Sequence, residues 1–406
     1  MILYILIGFF LLIILILLII RIKNPFWSIQ PVFHYYDFMY WFYNKGVIRS
    51  ELPEKNKYTN FKNIETINFN KLTNNYINDA VKLIQYNYLK NKDNHYYPKK
   101  NNILPYFQGN SINSFWTFYW EPNILVDNKT GLTIDDKRLI GFISGRPLEV
   151  KIYFKSYNSK SYKKCEQFNV YYVDYLCVDK MSRKKGIAPQ LIQTHEYNQS
   201  HSNKNICVSL FKREDQLTGI IPLTVYNSYC FNMKNWIQIP ILENTYKLLT
   251  GDKQNIFYLY NFINENQDLF DITICSEISN IASLVNSKNL IIKMILLDKE
   301  IIAVYIFKKT CTTIEKDKEI IDCISSIKSK YIDNNDFIKG FKVALQSIRQ
   351  TYPLYNYLTI EDCSHNNIII NNLFIKNMPI ITSPTAYFFY NFAYSTFNSN
   401  KCLIIC

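Results

Sequence analysis

The residues of this chain best suited to chemistry lie together between Val173 and Pro189, VDYLCVDKMSRKKGIAP. The stretch passes from a Tyr- and Val-rich strand (Asn169 to Val178) through a short loop into a helix. At the junction stand Arg183, Lys184, Lys185, Gly186, Ile187 and Ala188. A helix N-terminus offers backbone N–H groups and the positive end of its dipole, a ready receptor for a diphosphate. Gly186 has no Cβ to block close approach, and the three basic residues add charge. Pro189 suits the first helical turn, where a missing N–H is harmless. A basic loop ahead of an ordinary helix would read the same in isolation.

The elements around this junction must hold it in place. Arg138 to Phe154 (RLIGFISGRPLEVKIYF) is expected as two strands joined by a turn at Gly145-Arg146-Pro147. Ile187 to Tyr197 has helical spacing, with Ile187, Leu191 and Ile192 on one side. The later part repeats this order in outline. Leu290 to Phe307 reads as a strand pair turning at Asp298-Lys299, Asp336 to Gln350 as an amphipathic helix, and Tyr387 to Phe392 as a late strand. Such alternation predicts an α/β class with a mixed sheet (α+β in places). Two halves, residues 24–240 and 241–406, are expected to share one continuous sheet. Asp336-Phe-Ile-Lys-Gly-Phe lacks the basic run, so a single diphosphate site is expected, in the first half.

The 406 residues are 48% hydrophobic, enough for one large core or two adjoining ones. The formal net charge of +13 is spread along the chain, not clustered with aromatics. That argues against nucleic acid as a partner and suits anionic lipid headgroups. Ten cysteines without a C-x-x-C pair and five histidines without H-E-x-x-H argue against a metal centre. Reduced thiols in a cytosolic compartment fit the same spacing.

Met1 to Ile20 reads MILYILIGFFLLIILILLII, with no charged side chain. As a helix it would span about 30 Å, the thickness of a bilayer's hydrocarbon core. A cleaved signal peptide would carry a basic start, a shorter apolar run and a small-residue cleavage site, none of which is present. The stretch is therefore expected to be an uncleaved single-pass anchor. Arg21 and Lys23 follow it immediately, which predicts a cytosolic body.

The R-x-x-G-x-A loop resembles the acetyl-CoA loop of the GNAT superfamily, and further stretches resemble N-myristoyltransferases. Phe26-Trp-Ser-Ile-Gln-Pro-Val32 is similar to their F-W-x-T-Q-P-V opening, and Leu139-Ile-Gly-Phe-Ile-Ser144 to their L-V-G-F-I-S strand. Asp174-Tyr-Leu-Cys-Val178 is similar to N-F-L-C-V, and Arg183 to Pro189 to R-S-K-R-x-x-P. Thr218-Gly-Ile-Ile221, Asn235-Trp236 and Tyr387-Phe-Phe-Tyr-Asn391 follow in the family's order. The resemblance covers about residues 24–406.

It implies an acyltransferase that moves a fatty acyl group, myristoyl in the family, from CoA to the N-terminal glycine amine of a peptide. Myristoyl-CoA is then a co-substrate and no cofactor is held permanently. Phe26, Trp27 and the loop Arg183 to Ala188 would bind the acyl-CoA. Backbone N–H groups of Tyr175 and Leu176 would hold the thioester oxygen. An α-amino group with a pKa of about 7.7–8 needs a base; the resemblance assigns that role to the C-terminal carboxylate, here on Cys406. A frayed tail or a last strand would also fit this ending. Thr218 lies where a hydroxyl helps hold the amine, and Asp174 replaces an Asn, as an added base or as a solvated strand residue. Tyr88, Asp93 and Tyr229 correspond to the peptide site. There only Asp93 survives of an acidic run, and Phe231 replaces a His, so the peptide, the acyl chain or the activity itself can differ. A GNAT-type transferase on another amine, or a silent acyl-CoA binder at the membrane, stay open on sequence alone.

Overall fold

The computed structural model describes residues 2–43, 45–89, 95–126, 133–154, 164–214, 219–234, 236, 240–315 and 318–406. The apolar N-terminal run forms helix α1, Ile2–Lys23, and its described side chains, Phe9, Phe10 and Leu11 among them, are exposed. Among the described residues no helix is long and apolar enough to cross a membrane, so the span expected over residues 1–20 finds no support in the structure. A short helix, α2 (Phe38–Phe42), leaves Phe38, Met39, Phe42 and Tyr43 exposed.

The first half continues with β1 (Gly46–Val47), β2 (Ile64–Asn68), α3 (Asn74–Asn87), β3 (His95–Tyr96), α4 (Lys100–Ile103) and β4 (Phe115–Val126). Then come β5 (Thr133–Phe154), β6 (Lys164–Val178), α5 (Ile187–Ser202), β7 (Ser209–Glu214) and β8 (Thr224–Asn232). The turn expected at 145–147 is absent: β5 runs unbroken for 22 residues. Gly145 gives clearance there, since a Cβ would meet Gln199 Oε1 at 2.7 Å and His195 Nε2 at 2.8 Å.

The second half comprises β9 (Tyr246–Thr250), α6 (Ile256–Glu265), β10 (Ile272–Cys275), α7 (Ile278–Asn286), β11 (Leu290–Leu297) and β12 (Glu300–Glu315). It ends with β13 (Lys318–Lys328), α8 (Asn334–Thr351), β14 (Tyr355–Glu361), α9 (Asn366–Phe374), β15 (Ile381–Tyr390), β16 (Phe392–Ala393) and β17 (Cys402–Ile405). Asp298 and Lys299 join β11 to β12 with φ of 49° and 71°, the left-handed pair that a tight hairpin needs.

One sheet runs β17-β10-β5-β6-β7-β15-β8-β14-β13-β12-β11-β9, with β2, β3 and β4 attached beside it. The halves share this sheet but are interleaved: β10 and β17 extend the edge at β5, and β15 lies between β7 and β8. Pro147 is tolerated in β5 because it falls between β4, which pairs as far as Gly145, and β10, which begins opposite Glu149.

The pairing gives the repeat expected in outline its exact form. In each half a long strand (β5, β12) pairs antiparallel with the next (β6, β13), a helix follows (α5, α8), and a parallel strand returns (β7, β14). Each second strand carries one extra residue, Asp174 opposite Ser144/Gly145 and Ile324 opposite Ile306/Phe307. Each then leaves its parallel partner. β6 pairs with β7 only over Tyr171–Val173, and β13 with β14 only over Glu319–Cys323.

Candidate active site

The divergence of β6 from β7 opens a gap whose wall is main chain. Asp179 donates its N–H to Ile140 on β5. Backbone direction alternates along a strand, so Cys177 and Tyr175 also face β5, while Leu176 and Val178 turn theirs into the gap. The repeat supports this assignment. Ser329 donates to Ile302 just as Asp179 does to Ile140, and the two intervening outward amides, Ser326 and Lys328, do face away from β12. Of the two donors expected from sequence, the alternation thus brings the amide of Leu176 to the gap and directs that of Tyr175 toward β5. Leu176 is partly open, at 36% exposure, while Tyr175 is buried with its hydroxyl 3.2 Å from that of Tyr96.

Beside the gap, α5 begins at Gly186, whose φ of +74° is the left-handed conformation that favours glycine. No side chain caps this helix start. Lys184 also has positive φ (63°), and Lys184 and Lys185 are exposed. Arg183 is committed to structure: Nε donates to Val178 O at 3.2 Å and Nη2 to Asn87 O at 2.7 Å. It ties the loop to β6 and α3. The loop, Leu176 and Tyr88 border a cavity of about 620 Å³.

Two more cavities meet this place. One, about 720 Å³, runs past Leu176, Arg183, Ile143 and Val173 to Trp27, Phe211, His195, Glu196 and Tyr390. Trp27 stacks on Phe211 (5.9 Å between centroids), which stacks on Phe388 (5.3 Å). Phe26 meets Trp27 and Tyr58 edge-on, at 5.1 Å each. The other, about 340 Å³, shares Tyr88, Tyr96 and Asp174 with the first and reaches Lys308, Asp322, Glu361 and Cys406. Tyr88 donates its hydroxyl to Asp174 O at 3.4 Å, between them.

The second cavity is strongly charged, which no motif announced. Arg146, fully buried, donates Nε to Asp174 Oδ2 at 2.8 Å and Nη1 to Ser276 Oγ at 2.9 Å, and lies over the rings of Tyr106 and Tyr172. Lys212 bridges Glu361 (2.6 Å) and Glu214 (3.6 Å), and Tyr226 donates to the second Glu361 oxygen at 2.6 Å. Burial works against the Lys212 ammonium, but Glu361, Glu214 and Asp322 outweigh it and raise its pKa. Burial, with Glu361 adding, drives the Asp322 carboxyl well above the usual carboxylate range. Cys406 is buried; its carbonyl oxygen accepts from Lys308 Nζ at 3.1 Å, and its thiol lies 3.3 Å from the Tyr387 hydroxyl.

The structure thus gathers Tyr88, Asp174, Leu176 and Cys406 around two joined cavities. Tyr229 points elsewhere: Ser228 and Cys230 line the second cavity, while Tyr229, on the opposite face of β8, meets Phe374 edge-on at 5.0 Å. Thr218 and Asp93 lie outside the described residues.

The second half closes the equivalent places with its own chain. Ser326 N–H donates to Ser364 Oγ at 3.1 Å and Lys328 N–H to His365 Nδ1 at 2.8 Å. Helix α8 is capped by Asp333, which accepts from Asp336 N–H at 2.7 Å. An outward amide beside an uncapped, glycine-led helix start therefore occurs in the first half and has no counterpart in the second.

Comparison with known proteins shows what the chain resembles. Residues 49–222 match the family described as Myristoyl-CoA:protein N-myristoyltransferase, N-terminal domain. A Saccharomyces cerevisiae N-myristoyltransferase structure with bound myristoyl-CoA superposes with a TM-score of 0.67 at 13% identity, over 93% of this chain and 94% of that one. A second structure of that enzyme, with myristoyl-CoA and inhibitors, gives 0.68 at 12% identity over 94% of each chain. A tandem GNAT protein from the clavulanic acid biosynthesis pathway gives 0.50 at 8% identity, covering 82% of this chain and 100% of its own. At such identities the likeness is one of fold. No curated protein matches the chain in sequence. The chain is an acyltransferase enzyme that resembles the N-myristoyltransferases, and residues 49–222 carry the match to their N-terminal domain.

Proposed function

We propose that this enzyme transfers a fatty acyl group, myristoyl or close to it, from CoA to the N-terminal glycine amine of a peptide. The observation that carries the reading is the outward amide of Leu176, on the wall that the 620 Å³ and 720 Å³ cavities share, with Tyr88 common to both of these and to the charged one. The diphosphate lies at Arg183 to Ala188, the acyl chain enters the cavity that ends at Trp27 and Glu196, and the amine arrives through the charged cavity. Attack on the thioester carbon places negative charge on its oxygen, which the Leu176 N–H stabilises. Collapse expels the CoA thiolate and leaves an amide. A backbone donor of this kind contributes roughly 2.7–4 kcal/mol to such a step.

In this reading the α-carboxylate of Cys406 takes the amine proton, supported by its burial and by Lys308 at 3.1 Å. Asp174 is held by Arg146 and orients the entrance beside Tyr88. Incubating the full chain with labelled myristoyl-CoA and glycine-first peptides should give N-acyl peptide and free CoA. Transfer only to lysine side chains or small amines would move the reading to a general GNAT-type transferase, and binding without turnover to a silent acyl-CoA carrier. Two residues added after Cys406 should abolish turnover while leaving acyl-CoA binding intact.

The same proposal places α1 in a membrane with the body cytosolic. Its 22 residues would span about 33 Å at ~1.5 Å per residue. Arg21 and Lys23 in its last turn and the exposed Phe38, Met39, Phe42 and Tyr43 suit a headgroup interface. Product made there would be handed to the same bilayer, useful because one acyl chain alone binds membranes only marginally. Full-length protein should resist alkaline extraction of membranes, and protein lacking residues 1–23 should be released; equal release of both would remove the anchor.

A further inference from the structure

The internal repeat brings one equivalent position of each half to the charged cavity. Asp174 stands opposite Ser144/Gly145 and Ile324 opposite Ile306/Phe307. The next residue of each long strand, Arg146 in β5 and Lys308 in β12, is therefore the same position of the plan. Both are cations, and both lie over the ring of Tyr106, Arg146 Cζ at 5.3 Å and Lys308 Nζ at 5.1 Å from its centroid. Tyr106 is buried. The cross-strand neighbours of the two cations differ, Tyr172 for Arg146 and Asp322 for Lys308.

Each cation is committed to one acid of that cavity. Arg146, fully buried, donates Nε to Asp174 Oδ2 at 2.8 Å and Nη1 to Ser276 Oγ at 2.9 Å. Burial works against its charge, but Asp174 and then Cys406 outweigh it and raise its pKa. Lys308 donates Nζ at 3.1 Å to Cys406 O, an oxygen of the carboxylate assigned above to the amine proton. A lysine serving stability alone would pair with the carboxyl nearest it in the sheet, because a buried polar atom without a partner is costly. Lys308 does otherwise. It faces Asp322 across the ladder, yet Asp322 Oδ1 is buried with no hydrogen-bond partner. The cation passes over its own neighbour to reach Cys406.

We propose that Arg146 and Lys308 are a pair of positioning residues, one from each half, which clamp Asp174 and the Cys406 carboxylate in the cavity that receives the amine. The proposal rests on the reading above, in which the amine enters the charged cavity and Cys406 takes its proton. Both acids line that cavity, and neither cation touches the reacting atoms. Their effect is on geometry. A carboxylate on the last residue of a chain keeps rotation about its final bonds, whereas proton transfer needs an acceptor within about 2.6–3.2 Å of the donor atom. Lys308 removes that freedom at Cys406, and Arg146 removes it at Asp174. The Tyr106 ring attracts both cations where water is excluded, which sets the two halves of the clamp relative to each other.

The test uses the full chain with labelled myristoyl-CoA and a glycine-first peptide. K308M keeps the length of the side chain and removes its charge. Its kcat should fall about 10²-fold, the cost of misplacing a reacting group by about 1 Å, with myristoyl-CoA affinity unchanged. K308R should recover most of the loss, because a guanidinium can still donate to Cys406 O and lie over Tyr106. R146M should be slow in the same way and R146K should recover. Arg146 is also the buried counterion of Asp174, so its loss weakens the fold, and the Lys308 variants decide the question. A role in stability alone would lower the melting temperature and the fraction of molecules that bind myristoyl-CoA, and leave kcat per binding molecule at the wild-type value. That result, or K308R as slow as K308M, overturns the clamp, while wild-type turnover in the same assay keeps the acyl-transfer reading. If wild type makes no N-acyl peptide, both go.

Discussion

The two halves of this enzyme are built on one plan and differ at the two points where that plan could bind a ligand. In the second half Ser364 and His365 occupy the strand amides of Ser326 and Lys328, and Asp333 caps α8. In the first half the amide of Leu176 is turned to a gap and α5 starts uncapped at Gly186. The lesson is that the open pocket of the first half is a structural unit with its internal partners withheld. Backbone groups that the second half pairs internally are left open in the first, where the proposed chemistry would use them.

The comparison can be broken from either side. The largest effect is expected for L176P, which removes the outward N–H. Turnover should fall by about 10²–10³-fold with acyl-CoA affinity retained; unchanged turnover would show that the oxyanion is held elsewhere. E196Q reads the polar face of α5 through pH. Burial raises the Glu196 carboxyl from an ordinary 4.5 to about 7, with Ser200, Ser209 and Gln199 partly offsetting it. The fold therefore favours the neutral acid, so this group's contribution to stability is full below about pH 4.5 and is lost as pH rises through 7. His195 has the opposite sign: its pKa falls from 6.5 to about 4, so its contribution is lost as pH drops through that window. Denaturant titrations of E196Q should lose the Glu196 part of the pH slope, keep the His195 part, and gain up to about 3 kcal/mol over wild type near pH 8.

On the other side, S364A leaves the Ser326 amide buried and unpaired. Stability should fall by roughly 1–3 kcal/mol, measured by chemical denaturation, with turnover per folded molecule unchanged. G186D sets a carboxylate at the start of α5, in a left-handed conformation that favours glycine, and the affinity for acyl-CoA should drop roughly tenfold through strain and repulsion of the diphosphate. The smallest effect belongs to D333A, which uncaps α8 at a cost of about 1 kcal/mol and should create no CoA binding.

Much of the site was legible because its parts are local. The loop Arg183 to Ala188 announces itself by residue type and spacing, and so does the Asp298-Lys299 turn, while the Phe26-Trp27 pair enters through the family resemblance. What was illegible depends on neighbours far along the chain. Gly145-Arg146-Pro147 reads as a turn, since glycine and proline break strands, yet the glycine makes room for His195 and Gln199 and the proline falls where β5 lacks an outer partner. Arg146 then becomes the buried counterion of Asp174. Tyr229 was expected at the peptide site, but strand alternation gives that face to Ser228 and Cys230. The internal repeat was legible only in outline, as an order of elements, because Ile324 and Asp174, or α8 and α5, share a position and no chemistry.

The insertion of β15 between β7 and β8 has a consequence for biosynthesis. The ribosome makes β7 and β8 long before residues 381–390 emerge, so the stack Trp27–Phe211–Phe388 and the cavity it walls stay incomplete until translation is almost finished. Under the proposed function, a chain truncated before β15 would lack the Phe388 wall of this stack and should hold no acyl donor, even with the loop Arg183 to Ala188 in place.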